Sequence, residues 1–296
     1  MEKTSEWLNS FNSDYKEEIN ALVSTRNQSN KKTMTIAITG GKGGVGKTSV
    51  SLKLAKEMAA QGSKVLLIDC DYNLSNTAIR LGIPVDNTFY SLVSAEKSFE
   101  ECLYKSGNFH LLSACNGSLD LFDSDLRLEE IIIDIINAHG KEFDCVFLDC
   151  PAGLLRESLT LNAYCDKRIV VVTPDRASIT DSYSLVKVLN KKFGVNENHL
   201  LVNMVNSRSQ FEKVVKTFSE TIENFLGCRT KILGGIKKIN VGQAQFDQYF
   251  LSSGKNDLHQ SFLQVIKKLT DELSRTTIKE GSLPLRSREL LEQEVH

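Results

Sequence analysis

A glycine-rich loop at residues 41–48, GKGGVGKT, constrains the fold of this chain more than any other feature of its sequence. The loop matches the pattern G-x-x-x-x-G-K-[ST], and it stands between an apolar, β-branched run at residues 35–39 and a helical pattern over residues 49–60. Backbone N–H groups in such a loop, together with the positive end of the following helix, attract an anion. The spacing therefore predicts a loop that cradles phosphate groups between a strand and a helix.

The side chains of this loop predict which groups it contacts. In loops of this pattern the lysine pairs with the β- and γ-phosphates of a nucleotide, and the hydroxyl after it ligates Mg²⁺. These positions are Lys47 and Thr48 in this chain. A glycine-rich turn in an unrelated α/β protein is the alternative, and the strand before the loop and the helix after it argue against that alternative. The predicted nucleotide contacts in the loop are Gly41, Lys42, Gly43, Gly44, Val45, Gly46, Lys47, Thr48 and Ser49.

Apolar, β-branched runs alternate with helical patterns along most of the chain. This alternation predicts parallel strands joined by crossover helices, in a sheet that is buried on both faces. A seventh short strand is expected at residues 232–236, and a last helix over residues 257–273 is expected to cover the sheet. The predicted fold is a single α/β domain with a doubly wound, mostly parallel sheet and helices on both faces. The first six predicted strands are residues 35–39, 64–69, 109–113, 143–149, 168–173 and 199–203.

Composition and charge narrow the class of protein. The 296 residues are 41% hydrophobic and 25% charged, which is typical of a globular chain. The 36 Lys and Arg residues against 37 Asp and Glu residues give a net charge of −1, which argues against DNA as a partner. Seven cysteines without a C-x-x-C pair indicate a reducing compartment, and no apolar stretch reaches the ~20 residues that span a bilayer. We therefore expect a cytoplasmic protein.

Two flanking segments, residues 1–32 and 276–296, lie outside the alternating pattern. In the first segment, apolar residues at spacings of three and four predict an amphipathic helix. Such a helix packs on the core, packs on a second copy of the chain or binds a partner. The second segment is polar and interrupted at Gly281 and Pro284, so it is expected to be a tail with a short helix. The nucleotide-binding domain is therefore predicted over residues 33–275.

Lys42 gives the loop a second lysine, so that the loop reads KGGVGKT. In this form it resembles the deviant Walker A loop of the MinD/ParA family of P-loop ATPases. The resemblance implies a MinD-like fold, ATP or ADP with Mg²⁺ as ligands, and hydrolysis of ATP to ADP and phosphate. It also implies a homodimer in the ATP-bound state, in which Lys42 reaches across to the nucleotide of the other subunit. A solvated loop lysine is the alternative for Lys42.

Two acidic segments that follow predicted strands resemble the switch regions of the same family. DCDYNLSN, which begins at Asp69, is similar to the switch I pattern D-x-D-x-x-x-x-N, and DCPAG, which begins at Asp149, is similar to the Walker B aspartate with switch II. The resemblance implies that Asp69 and Asp149 join Thr48 around Mg²⁺ and that Asp71 orients the attacking water. Lys42 and Asp71 are thus the predicted catalytic residues. A strand-ending acid in a turn is the alternative for Asp149.

Two further stretches narrow the resemblance. The sequence VVTPDRASITDSYSLVKVL, from Val171, is similar to a T-P-E-x-x-S-I-T-D-A-Y pattern, and LVNMVNS, residues 201–207, is similar to a stretch whose asparagine contacts adenine. Both patterns are typical of the FlhG (YlxH) family, which regulates flagellar number and placement. The resemblance implies that Asn203 contacts the adenine of ATP. It also implies an FlhF-like GTPase or another flagellar assembly protein as a partner.

The chain departs from the FlhG pattern at two places. The segment LGGIKKINVGQAQ, residues 233–245, has Lys237 where the family has proline, so base contacts from this loop are not part of the prediction. The family carries D-Q-A-x-x-L-R near its N-terminus, which stimulates the GTPase of its partner. At comparable spacing this chain keeps only Asp14, with Ile19 in place of leucine. The N-terminal segment is therefore not assigned to that role by its sequence.

A scaffold that binds nucleotide but barely hydrolyses it is one alternative, which a turnover assay would separate, and two other functions within the family also remain. One is a ParA-type partition ATPase that binds DNA as the ATP dimer, although basic residues occur here only as dispersed pairs such as Lys237–Lys238. The other is a MinD-like positioning ATPase at the membrane, since the tail places Leu290, Leu291 and Val295 on one side of a helix. Counted from Arg275, the tail has four basic and four acidic residues, and this neutral charge argues against strong binding to anionic lipid. Besides the cytoplasm, the protein is expected at the inner face of the cell membrane or at the cell pole.

Overall fold

The computed structural model describes residues 33–71, 77–84, 88–113, 127–252 and 256–281 of the chain. The predicted N-terminal helix over residues 1–32 lies outside the described residues, as do Asn76 of the predicted switch I and most of the tail. Among the described residues, no helix combines the length and the apolar character needed to cross a membrane.

One sheet of eight strands forms the centre of the described part of the chain, in the order β3-β4-β2-β5-β1-β6-β7-β8. All neighbouring strands are parallel except β3 and β4, which pair in antiparallel orientation. The strands are β1 (Met34–Thr39), β2 (Val65–Asp69), β3 (Tyr104–Ser106), β4 (Phe109–Leu112), β5 (Cys145–Asp149), β6 (Lys167–Val172), β7 (Glu197–Val205) and β8 (Arg229–Lys237).

All seven strands expected from apolar runs are present in this sheet. The eighth observed strand, β3, was not predicted, because its three residues, YKS, are all exposed and form no apolar run. A short edge strand buries no side chain, so the hydrophobic pattern carries no trace of it. β1, β2, β4 and β5 are buried along their whole length. Continuous burial is what a parallel sheet covered on both faces requires.

Helices cover both faces of the sheet, as the sequence predicts. The helices α1, α8 and α9 pack with the sheet in one hydrophobic cluster, and α4 to α7 pack on the opposite face. The last helix continues to Gly281, so it overlaps the first residues of the predicted tail. The helices are α1 (Lys47–Ala60), α2 (Thr77–Leu81), α3 (Thr88–Val93), α4 (Leu128–His139), α5 (Arg156–Tyr164), α6 (Arg176–Phe193), α7 (Arg208–Leu226), α8 (Gln243–Leu251) and α9 (Asp257–Gly281).

The alternation of side chains along a strand divides the core between these two faces. In the central strand β1, Ile36 and Ile38 belong to the cluster under α1, and Ala37 belongs to the opposite cluster. The six described cysteines are buried and free. The structure thus confirms a single, doubly wound α/β domain.

The parallel arrangement also decides where functional residues meet. The carboxyl ends of parallel strands share one edge of a sheet, and ligands in open α/β sheets bind at that edge. Strand β1 leads into the loop of residues 40–46, and its neighbour β5 ends at Asp149. Strand β2 pairs with β5 and ends at Asp69. The glycine-rich loop and two of the predicted Mg²⁺ ligands therefore converge at one edge.

Candidate active site

The glycine-rich loop has the strand–loop–helix context that its sequence predicts. It begins after Thr39 at the end of β1 and leads into α1, whose first residue is Lys47. Gly44 and Gly46 have φ angles of 78° and 93°, in the left-handed region where a side chain is strained. The loop thus directs the N-terminus of a 14-residue helix towards the carboxyl edge of the sheet, which is the geometry of an anion site.

Helix α6 supports the first residue of this loop. The Gly41 N–H donates a hydrogen bond of 3.2 Å to Ser182 Oγ. A Cβ atom on Gly41 would lie 2.1 Å from the carbonyl carbon of Asp181, so only glycine fits this close approach. The FlhG-like sequence S-I-T-D-S-Y in α6 therefore has a structural role, since it forms the surface against which the loop packs.

Strand β7 supports the other end of the loop through Asn203. The Asn203 Nδ2 atom donates a hydrogen bond of 2.8 Å to the carbonyl oxygen of Val45, and Oδ1 accepts one of 2.9 Å from the Met204 N–H. Asn203 is only 4% exposed, and a Cβ atom on Gly46 would lie 2.4 Å from its Nδ2. The structure thus places Asn203 against the phosphate-binding loop, and its expected contact with adenine stays a prediction.

Two carboxylates lie side by side behind the loop. Asp69 and Asp149 are register partners at the ends of β2 and β5, and both are almost fully buried. Burial, followed by the nearby Asp69 carboxylate, raises the pKa of Asp149 to about 7, although Thr48 and Lys47 act in the opposite direction. The Oδ1 atom of Asp149 is buried without a hydrogen-bond partner among the described residues.

These features fit a bound Mg²⁺ ion. A divalent cation relieves the repulsion between two buried carboxylates, and it would be coordinated by the Asp149 oxygen that has no hydrogen-bond partner in the described part of the chain. Carboxylate and hydroxyl oxygens are the donors that Mg²⁺ takes from proteins, with phosphate and water oxygens completing its shell. The Thr48 side chain lies near enough to Asp149 to lower its pKa, and Asp69 is the register partner of Asp149, so the three predicted ligands Thr48, Asp69 and Asp149 lie together.

Asp69 also fixes the start of the predicted switch I. Its Oδ1 accepts a hydrogen bond of 3.0 Å from the Asp71 N–H, and its Oδ2 accepts one from the hydroxyl of Thr77 in α2. Thr77 is fully buried, whereas Asp71 is partly exposed. The carboxylate predicted to bind Mg²⁺ is therefore linked to the backbone of the residue predicted to orient water. A substitution or metal ion that moves the Asp69 carboxylate would therefore alter the hydrogen bond that holds the Asp71 backbone.

Lys47 lies close to these carboxylates. Burial lowers the pKa of Lys47, and the charges of Asp149, Cys150 and Asp71 oppose that change, with Asp149 the strongest of the three. Lys47 is the first residue of α1 and lies at the end of the loop, where the charge of Asp149 acts on it. The expected contact of Lys47 with the β- and γ-phosphates stays a prediction.

Lys42 is engaged differently from Lys47. Its Nζ atom lies 3.0 Å from Asp175 Oδ1, and 41% of its side chain is exposed. Asp175 caps α6 by accepting the Ser178 N–H at 2.9 Å, and it also accepts the Thr173 hydroxyl at 2.6 Å. These hydrogen bonds, the Thr173 bond first, lower the pKa of Asp175 to about 2, with Lys42 adding to the effect. Lys42 is thus held at the surface by α6, and its action in a second subunit stays a prediction.

Ser49 is buried and its hydroxyl accepts a hydrogen bond of 2.9 Å from Arg80 in α2. Arg80 also donates to Asp247 of α8 at 2.8 Å. The predicted contact of Ser49 with nucleotide stays a prediction. Arg80, together with Asp175 and Ser182, was not singled out by the sequence, because each acts through a partner distant in the chain and no local pattern marks such pairs.

Comparison with known proteins agrees with this geometry. The model of a protein family described as AAA domain matches residues 33–218, which is more than half of the chain. The antiactivator FleN of Pseudomonas aeruginosa is 28% identical over 202 residues, which cover 68% of this chain and 72% of FleN. The septum site-determining protein MinD of Bacillus subtilis is 31% identical over 173 residues, which cover 57% of this chain and 64% of that protein.

The fold is also shared with solved structures. The septum site-determining protein MinD complexed with Mg-ADP, from Pyrococcus horikoshii, superimposes with a TM-score of 0.65 over 82% of this chain and 98% of that chain, at 22% identity. FleN is a homologue of FlhG. The chain belongs to the AAA domain family, and its similarity to MinD and to the FlhG homologue FleN supports a MinD/ParA-type P-loop ATPase.

Proposed function

We propose that this protein is an ATP-binding and ATP-hydrolysing dimerisation switch that regulates flagellar number and placement. One observation carries the proposal. Lys42 of the glycine-rich loop is ion-paired with Asp175 at the surface, whereas Lys47 of the same loop is the first residue of α1 and is affected by the charge of Asp149. We infer that Lys42 leaves this exposed pair to contact the phosphates of a nucleotide held by a second subunit.

In the proposed ATP complex, the N–H groups of the glycine-rich loop and the ammonium group of Lys47 hold the phosphates. Thr48, Asp69 and Asp149 hold the metal ion. Mg²⁺, when bound, neutralises charge on the phosphate oxygens. Asp69 also keeps the backbone of Asp71 in place through its hydrogen bond to the Asp71 N–H.

Hydrolysis in this proposal depends on two residues with different roles. Asp71 orients the water that attacks the γ-phosphate, and Lys42 of a second subunit offsets the negative charge that develops on the transferred group. A charge-assisted contact between Lys42 and phosphate also stabilises the two-fold dimer. When phosphate leaves, this contact is lost and the subunits separate. ATP binding and hydrolysis thus set the fraction of dimer.

The flagellar role is supported by the relative FleN, which is named an antiactivator, and by its homology to FlhG. We propose an FlhF-like GTPase or another flagellar assembly protein as the partner of the dimer, in the cytoplasm or at the inner face of the membrane near the cell pole. The test is complementation of a flagellated bacterium that lacks its own FlhG, with flagella counted by electron microscopy. The protein should restore the normal count, and Lys47→Ala should not.

Two controls separate this role from the alternatives within the family. A ParA-type protein would be retained on non-specific DNA in ATP, with retention that falls steeply as salt is raised. A MinD-like protein would sediment with anionic lipid vesicles in ATP and remain in solution in ADP. If flagellar counts stay abnormal while either of these two bindings is strong, the flagellar role is wrong and the corresponding alternative replaces it.

A further inference from the structure

Asn203 meets the phosphate-binding loop across 158 positions of sequence. Its Nδ2 atom donates to the carbonyl oxygen of Val45 at 2.8 Å, in a buried contact. Val45 is 1% exposed, so its carbonyl group has no ready access to water. A buried carbonyl without a partner carries an unfavourable desolvation free energy. The amide of Asn203 therefore satisfies a loop carbonyl that would otherwise be costly to bury.

The local backbone of β7 fixes how this amide is oriented. Met204 has a φ angle of 58°, which is rare for a residue with a side chain, and the pairing of β7 with β8 is irregular between Val202 and Val205. The Met204 N–H donates to Asn203 Oδ1. Because Oδ1 is engaged with the neighbouring backbone, the N–H₂ end of the amide is the end that faces Val45.

The loop is shaped to receive this side chain. Gly46 adopts a left-handed φ of 93°, and a Cβ atom there would lie 2.4 Å from Asn203 Nδ2. The residue that begins the turn into α1 is thus in direct contact with the amide. A side chain that contacts Val45 on one side and Gly46 on the other restricts the two peptide groups that precede Lys47.

We propose that Asn203 is a positioning residue that holds the glycine-rich loop in its phosphate-binding conformation through Val45 and Gly46. This inference rests on the proposed function, since it requires that the loop bind the phosphates of ATP. It differs from the adenine contact that the resemblance implies. A positioning residue affects every ligand that carries a polyphosphate, whereas a base contact affects only ligands that carry the base.

The difference between these two roles can be measured by calorimetry with three ligands. Mg-ATP, Mg-GTP and Mg-tripolyphosphate should be titrated into the full-length wild type and Asn203→Ala. A lost hydrogen bond to a buried carbonyl predicts a fall in affinity of about tenfold. The same factor is expected for all three ligands. Asn224→Ala, at an exposed position of α7, is the matched control and should bind all three ligands as the wild type does.

Two results would overturn the inference while leaving the proposed function in place. A loss confined to Mg-ATP, with Mg-tripolyphosphate unchanged, would assign Asn203 to the base. Unchanged affinity for all three ligands would remove any role in nucleotide binding. A wild type that binds none of the ligands would instead refute the proposed function itself. If Asn203→Ala does not fold, as judged by its melting curve, Asn203→Ser is tested in the same way, because its shorter side chain also fails to reach Val45.

Discussion

Substitution of Lys53 by methionine tests a buried ionic cluster that joins the loop-bearing helix α1 to the last helix, α9. Lys53 is completely buried, and its Nζ atom lies 2.7 Å from Glu57 Oε1 one turn further along α1. It also donates to the carbonyl oxygen of Ser252. The same Glu57 oxygen lies 2.9 Å from His259 Nδ1 in α9. Methionine has an unbranched side chain of similar length, so the change removes the charge and retains most of the packing.

The expected loss follows from what remains when Lys53 is gone. Removing one partner of a buried ion pair costs ~3–5 kcal/mol, since the other charge stays buried without compensation. Glu57 keeps its contact with His259, so the lower end of this range applies, about 3 kcal/mol. For a domain of this size that loss lowers the melting temperature by about 6–12 °C.

Urea denaturation followed by circular dichroism measures this free energy of unfolding. Lys56→Met, at a partly buried position of the same helix, is the matched control and should change stability by less than about 0.5 kcal/mol. The double variant Lys53→Met/Glu57→Leu should be more stable than Lys53→Met, since removing a buried carboxylate that has lost its lysine outweighs the loss of the Glu57 contact with His259. A single variant within about 1 kcal/mol of the wild type would refute the reasoning, as would a double variant less stable than the single one.

Three further predictions concern the site. Gly41→Ala should lower stability by ~1–3 kcal/mol in thermal melts, because its Cβ would collide with the backbone of Asp181, whereas Gly43→Ala meets open space and should not. Asp71→Ala should bind ATP and dimerise but reduce phosphate release to near background, and unchanged turnover would refute its role. The pKa of Asp175 is lowered to about 2, so the stability that its carboxylate adds is present above the unfolded-state pKa and is lost as pH falls through the folded-state pKa. The wild type should therefore be more stable than Asp175→Asn by a modest amount, since the group is half-exposed, and this difference should shrink from pH 6 to pH 3.

Local patterns predicted most of the fold. Continuous apolar runs marked every strand that the sheet buries, and the G-x-x-x-x-G-K-T spacing marked the loop, because a strand, a tight turn and a helix must follow one another there. Strand β3 has no apolar residue facing a core, so nothing in its composition distinguishes it from a loop. The α/β alternation then placed Asp69 and Asp149 at one edge, since parallel strands share their carboxyl ends.

Contacts between distant parts of the chain were beyond such patterns. Lys53 lies in α1 with the spacing of an ordinary surface lysine, and only the position of Ser252 and His259 explains why it is buried. Asn203 was noticed through resemblance, yet its bond to Val45 depends on how β7 and the loop meet in space. The ion pair of Lys42 with Asp175 likewise depends on how the loop and α6 meet in space. The spacing of residues in a sequence predicts contacts between neighbours along the chain, and it does not predict contacts between such distant partners.

The mass of the protein in solution tests the central claim most directly. Size-exclusion chromatography with light scattering should be run with Mg²⁺ and a slowly hydrolysed ATP analogue, on the wild type and on Lys42→Ala. The wild type should have the mass of a dimer with the analogue and of a monomer with ADP. Lys42→Ala should bind the analogue, as shown by calorimetry, and remain a monomer, because Lys47 and the loop N–H groups already hold the phosphates within one subunit. A Lys42→Ala variant that forms the dimer as readily as the wild type would contradict the account.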